Sequence, residues 1–131
     1  QVIEYALQLL AVGKYMIKNA IQAIPDGRFG VIDIRMYIKD RHVTVQVQDN
    51  GSGIPQEMHE KVFLFNFTTK SSGTGLGLAM SKKIIEQASG NIYFETQSNI
   101  GTSFFVELPI QEISPIDEED EFTAPIVVRQ T

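Results

Sequence analysis

Two alternating apolar stretches, joined by one tight turn, constrain this 131-residue chain more than any other feature. Residues 30–38 set Val31, Asp33, Arg35 and Tyr37 against Ile32, Ile34, Met36 and Ile38, the period of a strand with one buried face. Asp40-Arg41 supplies the turn, and Val43, Val45 and Val47 carry the alternation through 42–48. Strands linked this closely pair as an antiparallel hairpin. A second hairpin is expected from 91–97 and 102–108, turning at Ser98-Asn99-Ile100-Gly101 and closed by Pro109.

Between and before these hairpins the period changes. From Ala6 to Ile24, Leu9, Val12, Met16, Ala20 and Ala23 recur at helical steps, as do Leu10, Ile17, Ile21 and Ile24. Gly13 costs that helix about 1 kcal/mol relative to Ala, and Pro25-Asp26-Gly27 ends it. A short helix is expected over 56–65 and a longer one over 75–89, stopped by Gly90, while residues 1–5 read as a short strand. Hairpins with helices gathered on one side give an α+β fold: a two-layer α/β sandwich with a mostly antiparallel, mixed sheet covered on one face by helices.

The stretch 63–78 reads FLFNFTTKSSGTGLGL and leads straight into the apolar helix pattern. Gly73, Gly75 and Gly77 leave backbone N–H groups uncovered where a helix opens, and the helix adds about half a positive charge at the same place. That is the chemistry of a phosphate cradle, with Lys70 upstream as a mobile cation. The same run also suits a plain turn, and its spacing is neither the Walker loop nor the dinucleotide fingerprint.

Composition narrows the classes. Hydrophobic residues make up 43% and charged residues 21%, ordinary for a globular domain. The net charge of −5 is a property of the tail, because six of the sixteen acids are Glu112, Asp117, Glu118, Glu119, Asp120 and Glu121. The other ten face ten Lys and Arg over residues 1–111, so no nucleic-acid surface is expected. No run approaches the roughly 20 apolar residues of a membrane span, and no signal peptide is expected. Without cysteine there is neither a disulfide nor a thiolate metal site, and His42 and His59 stand alone. The organisation reads as one domain over 1–110 and an acidic, flexible tail over 111–131, with Ile126-Val127-Val128 its only apolar cluster.

Three separated segments then share one explanation: Lys18-Asn19-Ala20, the loop DNGSGIP from Asp49, and FTTKSSGTGLGL. In this order they resemble the N box, first glycine box, F box and second glycine box of the ATP-binding catalytic domain of bacterial sensor histidine kinases. That domain belongs to the wider Bergerat superfamily of gyrase-, MutL- and chaperone-type ATPases. The later GTSFFVELP fits the family's last core strand, and the resemblance covers about residues 1–110.

The resemblance implies that Asp49 accepts a hydrogen bond from the adenine amino group, which would favour ATP over GTP. It implies that Gly51 and Gly53, followed by Ile54, let backbone approach the base, and that Thr102 bonds the adenine edge. Asn19 would give its amide oxygen to Mg²⁺. Lys70, Gly73, Thr74, Gly75, Leu76 and Gly77 would hold the phosphates under a short lid of the nitrogen-regulator type, with Phe63 and Phe67 at its base.

The implied activity is donation of the ATP γ-phosphoryl group to a histidine on a separate dimerisation domain. A response-regulator receiver domain lies downstream, and the parent protein is expected to be a cytoplasmic or inner-membrane homodimer. The isolated chain should not autophosphorylate. Tyr15 departs from the pattern, standing where histidine kinases carry Asn and hydrolytic relatives carry Glu; a phenol is a poor general base at neutral pH. Phe65-Asn66 is a milder departure in the F box. A degenerate nucleotide-binding module without phosphotransfer and an anti-sigma-factor-type protein-serine kinase are the alternative readings.

Overall fold

A computed structural model of the chain describes residues 2–64, 77–110 and 121–128, with side chains over 7–64 and 77–110. Helix α1 spans Val2–Ala23 and strands β1 and β2 span Gly30–Lys39 and His42–Asp49. A short 3-10 helix covers Gln56–Lys61. Helix α2 (Gly77–Gln87), β3 (Asn91–Gln97), β4 (Gly101–Pro109) and β5 (Glu121–Val128) complete the order.

The first hairpin forms as its spacing requires. Lys39 pairs with His42 across the turn, and Asp40 and Arg41 both take left-handed conformations, at φ 52° and 62°. Two such residues make a type I′ turn, whose twist matches that of the flanking strands. The sheet order is β3-β4-β2-β1-β5. All four neighbouring pairs are antiparallel, so the parallel member of the expected mixed sheet is not among the described residues.

Helices α1 and α2 pack on each other and on the sheet. Val12, Met16 and Ala20 from α1 and Ile85 from α2 meet Ile32, Val47, Ile92, Phe104 and Val106 from the strands in one core. Of the two helical stripes in α1, only the first is the core face. Leu10 and Ile21 of the second stripe are exposed, although Ile24 at its end is buried.

Two expectations are corrected. Residues 2–5 belong to α1, not to a strand, because a helix once nucleated extends at the cost of one residue per hydrogen bond. Glu121–Val128, expected as flexible tail, is the edge strand β5, paired with β1 from Gly30↔Val128 to Tyr37↔Glu121. Pro125 falls opposite Asp33 in that ladder, an acceptable place because an edge strand can dispense with an N–H. Truncation after Gln111 is therefore expected to lower stability, since it removes the backbone ladder along β1 and leaves β1 as an uncovered edge. Nucleotide affinity should not change. Denaturant unfolding and calorimetry of the truncated chain measure the two effects separately.

Candidate functional site

The register brings three sequence-distant residues together at one end of the sheet. Asp49, the last residue of β2, pairs with Thr102 on β4, and Thr102 pairs with Thr96 on β3. Asp49 and Thr102 are each only 3% exposed. Asp49 Oδ1 accepts hydrogen bonds from the Gly51 N–H at 2.8 Å and the Thr102 N–H at 3.3 Å. Both of these bonds fall on Oδ1, and they set the orientation of the buried carboxylate at the strand end. The Thr102 and Thr96 hydroxyls lie 2.8 Å apart, and Thr96 Oγ1 also accepts the Ile54 N–H at 2.9 Å. One network thus runs from Asp49 to Ile54.

The two loop glycines are needed first by the protein itself. A Cβ on Gly51 would collide with the Ala23 carbonyl and lie 2.9 Å from Asp49 Oδ1. Gly53 sits at φ 83°, where a Cβ would meet the Gln97 carbonyl oxygen at 2.7 Å. Ser52, between them, donates its N–H to the Ala23 carbonyl at 3.1 Å and accepts the Asn99 N–H at 2.8 Å. The loop is stapled between the end of α1 and the β3–β4 turn.

Reasoning from the sequence missed the residues that hold this loop from the other side. Arg28 Nη1 donates to the carbonyls of Asn50 and Gly51, at 2.8 and 2.9 Å. The Asn50 side chain accepts the Val31 N–H and donates to the Phe29 carbonyl, both at 2.9 Å. No local signal marks Arg28, because its partners lie 22 and 23 residues away. Nor does one mark these bonds of Asn50, whose partners Val31 and Phe29 lie 19 and 21 residues away. Arg28→Ala should lower stability by about 1.5–3 kcal/mol, the range for a hydrogen bond to a charged group, and should weaken nucleotide binding as the Asp49 loop loosens. Thermal unfolding with and without ATP reads both.

The other end of the candidate site is built by α1 and α2. Asn19 is half-buried, and Tyr15, one turn earlier, is 40% exposed. Gly77 opens α2, and a Cβ there would lie 2.7 Å from Cδ1 of the Tyr15 ring. The first-turn N–H groups of α2 have no partner within the helix, and that turn carries no acidic residue, which suits an anion. Lys70, Gly73, Thr74, Gly75 and Leu76 lie outside the described residues, as do Phe65, Asn66 and Phe67. Phe63 packs into the core edge-on to Phe104 with centroids 6.3 Å apart, and the Lys82 ammonium stands 5.3 Å from its ring centroid.

His59 donates to the Ile54 carbonyl at 2.9 Å and meets Phe94 edge-on, a structural role below the Asp49 loop. The Tyr93 phenol, at the far end of the β3–β4 pair, is pushed up by burial first and then by the Glu107 carboxylate it bonds at 3.2 Å. Among the described residues no group of three or more His, Asp or Glu side chains converges on a metal. Asn19 can offer one neutral amide oxygen, a hard donor that fits Mg²⁺, an ion that takes its remaining ligands from phosphates and water. No helix among the described residues is long and apolar enough to cross a membrane.

With that geometry in place, comparisons with known proteins converge. The family model described as histidine kinase-, DNA gyrase B-, and HSP90-like ATPase matches residues 6–112. Sporulation kinase E of Bacillus subtilis is 36% identical over 114 residues, which cover 87% of this chain and 15% of that protein. The sensor histidine kinase ZraS of Escherichia coli is 41% identical over 92 residues, 70% of this chain and 19% of that protein. The solved catalytic domain of the histidine kinase ThkA, in a nucleotide-free form, aligns with a TM-score of 0.69 at 38% identity, covering 79% of this chain and 66% of that one. The chain spans less than a fifth of the length of these two curated relatives. Strand β5 lies beyond the residues that the family model matches.

Proposed function

Because the chain belongs to the family of histidine kinase-, DNA gyrase B- and HSP90-like ATPases, we propose that it is the ATP–Mg²⁺-binding catalytic domain of a two-component sensor histidine kinase. It donates the γ-phosphoryl group of ATP to a histidine on a separate dimerisation domain. The observation that carries this reading is the buried Asp49 carboxylate, oriented through Oδ1 by two backbone N–H groups at a strand end. An acceptor fixed in this way suits the exocyclic amino group of adenine, where guanine would present a carbonyl oxygen. Thr102 stands beside it to bond the adenine edge, and Gly51, Gly53 and Ile54 line the same loop.

At the phosphate end, the first-turn N–H groups of α2 at Gly77 bind anionic oxygens. The family resemblance would add Lys70, Gly73, Thr74, Gly75 and Leu76 to that end. Asn19 would hold Mg²⁺, whose charge, when bound, offsets that of the phosphates. Phosphoryl transfer asks a protein mainly for positioning and charge neutralisation, and these residues supply both without a general base. The acceptor histidine brings the nucleophile, so Tyr15 need not act as a base. A receiver domain of a response regulator takes the phosphoryl group next, and the parent protein is a homodimer with this domain on the cytoplasmic side. Relatives named as sporulation and sensor kinases support this reading over a degenerate module or a protein-serine kinase.

Calorimetric titration with ATP and GTP, each with and without Mg²⁺, tests the reading. ATP should bind, Mg²⁺ should strengthen it, and GTP should bind far more weakly. Equal binding of the two nucleotides, or no binding of either, would overturn the adenine pocket.

A further inference from the structure

We propose that Tyr15 is a positioning residue for the phosphate end, its ring being the wall against which the first residue of α2 is set. This inference rests on the ATP-binding reading above and extends it to a residue that the family resemblance marks only as a departure. The three atoms nearest a Cβ built on Gly77 all belong to the Tyr15 ring: Cδ1 at 2.7 Å, with Cε1 and Cγ at 3.2 Å. Contacts that short displace something in any real side chain, so the backbone of Gly77 reaches the ring only because glycine stands there.

The ring is not held in place for the sake of core burial. Tyr15 is 40% exposed, while its neighbour Met16, at 2%, does the packing of that turn. Gly77 is restrained from its other side as well, since Ser81 Oγ donates to the Gly77 carbonyl at 2.7 Å. The start of α2 is thereby fixed between its own second turn and a side chain of α1. The N–H groups available to phosphate belong to that first turn, so their direction follows from where Gly77 rests. Asn19 lies one turn further along α1, which ties the metal-facing amide and the helix start to the same stretch of helix. The phenol oxygen has no part in this; the flat ring has.

The test uses the full chain and four variants: Tyr15→Phe, Tyr15→Ala, Gly77→Ala, and Tyr15→Ala with Gly77→Ala. Affinity for ATP and for adenosine is measured by calorimetry, and Tm is recorded for each protein. Tyr15→Ala should weaken ATP binding about tenfold, a modest share of what an ångström of misplacement can cost, and should leave adenosine binding within about twofold. Tyr15→Phe, which keeps the ring, should restore the ATP affinity. Gly77→Ala should weaken ATP binding, and removing the Tyr15 ring in the double variant should recover part of it. ATP binding by Tyr15→Ala equal to that of the unaltered chain would overturn the proposal, as would equal losses for ATP and adenosine. If the unaltered chain binds no ATP, the proposed function falls, and the Tm values then decide the contact: Gly77→Ala must lose stability and the double variant must regain it.

Discussion

Asp49→Asn should weaken ATP binding about 100-fold while leaving the domain folded. The substitution is nearly isosteric, and Asn can keep an oxygen where Oδ1 now accepts the N–H groups of Gly51 and Thr102. The second oxygen becomes an NH₂ group, a donor placed against the amino donor of adenine. A hydrogen bond to a charged group is worth about 1.5–3 kcal/mol, and tenfold in affinity is about 1.4 kcal/mol, so a loss near 100-fold lies at the upper end of that range. Calorimetry gives the affinity, and an unchanged Tm certifies the fold. Asp49→Ala would be a poorer experiment, because it leaves two buried N–H groups without their acceptor and so mixes folding with binding. Unchanged affinity in Asp49→Asn would remove Asp49 from base recognition.

The largest effect on stability is expected at Gly101, with a loss of about 2–6 kcal/mol on substitution by Ala. Its φ is 148°, and a Cβ there would run into the Asp49 carbonyl oxygen, with the Asp49 carbonyl carbon at 2.9 Å and Asn50 Cα at 3.1 Å. Left-handed strain in a non-glycine residue costs about 1–3 kcal/mol, and overpacking costs about the same again. All three neighbours are backbone atoms, so nothing can rotate out of the way. Because Gly101 immediately precedes Thr102, the displacement also pulls the Thr102 N–H from Asp49, and ATP affinity should fall with stability. Urea unfolding of Gly101→Ala measures the first effect. A cost below about 1 kcal/mol would show that the β2–β4 end relaxes more easily than this geometry implies.

Much of the architecture was legible from local period alone. The alternations at 30–38 and 42–48 become β1 and β2 with the expected turn, and the second hairpin forms as spaced. The order of the boxes pointed to the family that the comparisons bear out. The same local reading could not choose between the two apolar stripes of α1, because both satisfy helical spacing and only the packed sheet decides which is inside. Nor could it foresee that eight residues of an acidic tail complete the sheet, since their partner strand lies more than 80 positions earlier in the chain.

The sequence by itself determined the two hairpins and the bodies of the two long helices, because alternation and helical spacing act over a few residues, and the order of its motifs marked the family. Only the tertiary structure decided why particular residues are needed where they stand. Gly51 is glycine because the end of α1 passes too close, Gly77 because the Tyr15 ring does, and Gly101 because the Asp49 carbonyl does. Arg28 and Asn50 matter because folding brings the carbonyls and amides of distant segments within bonding distance. Close approach between segments remote in sequence has no local period, and it exists only once the chain is packed.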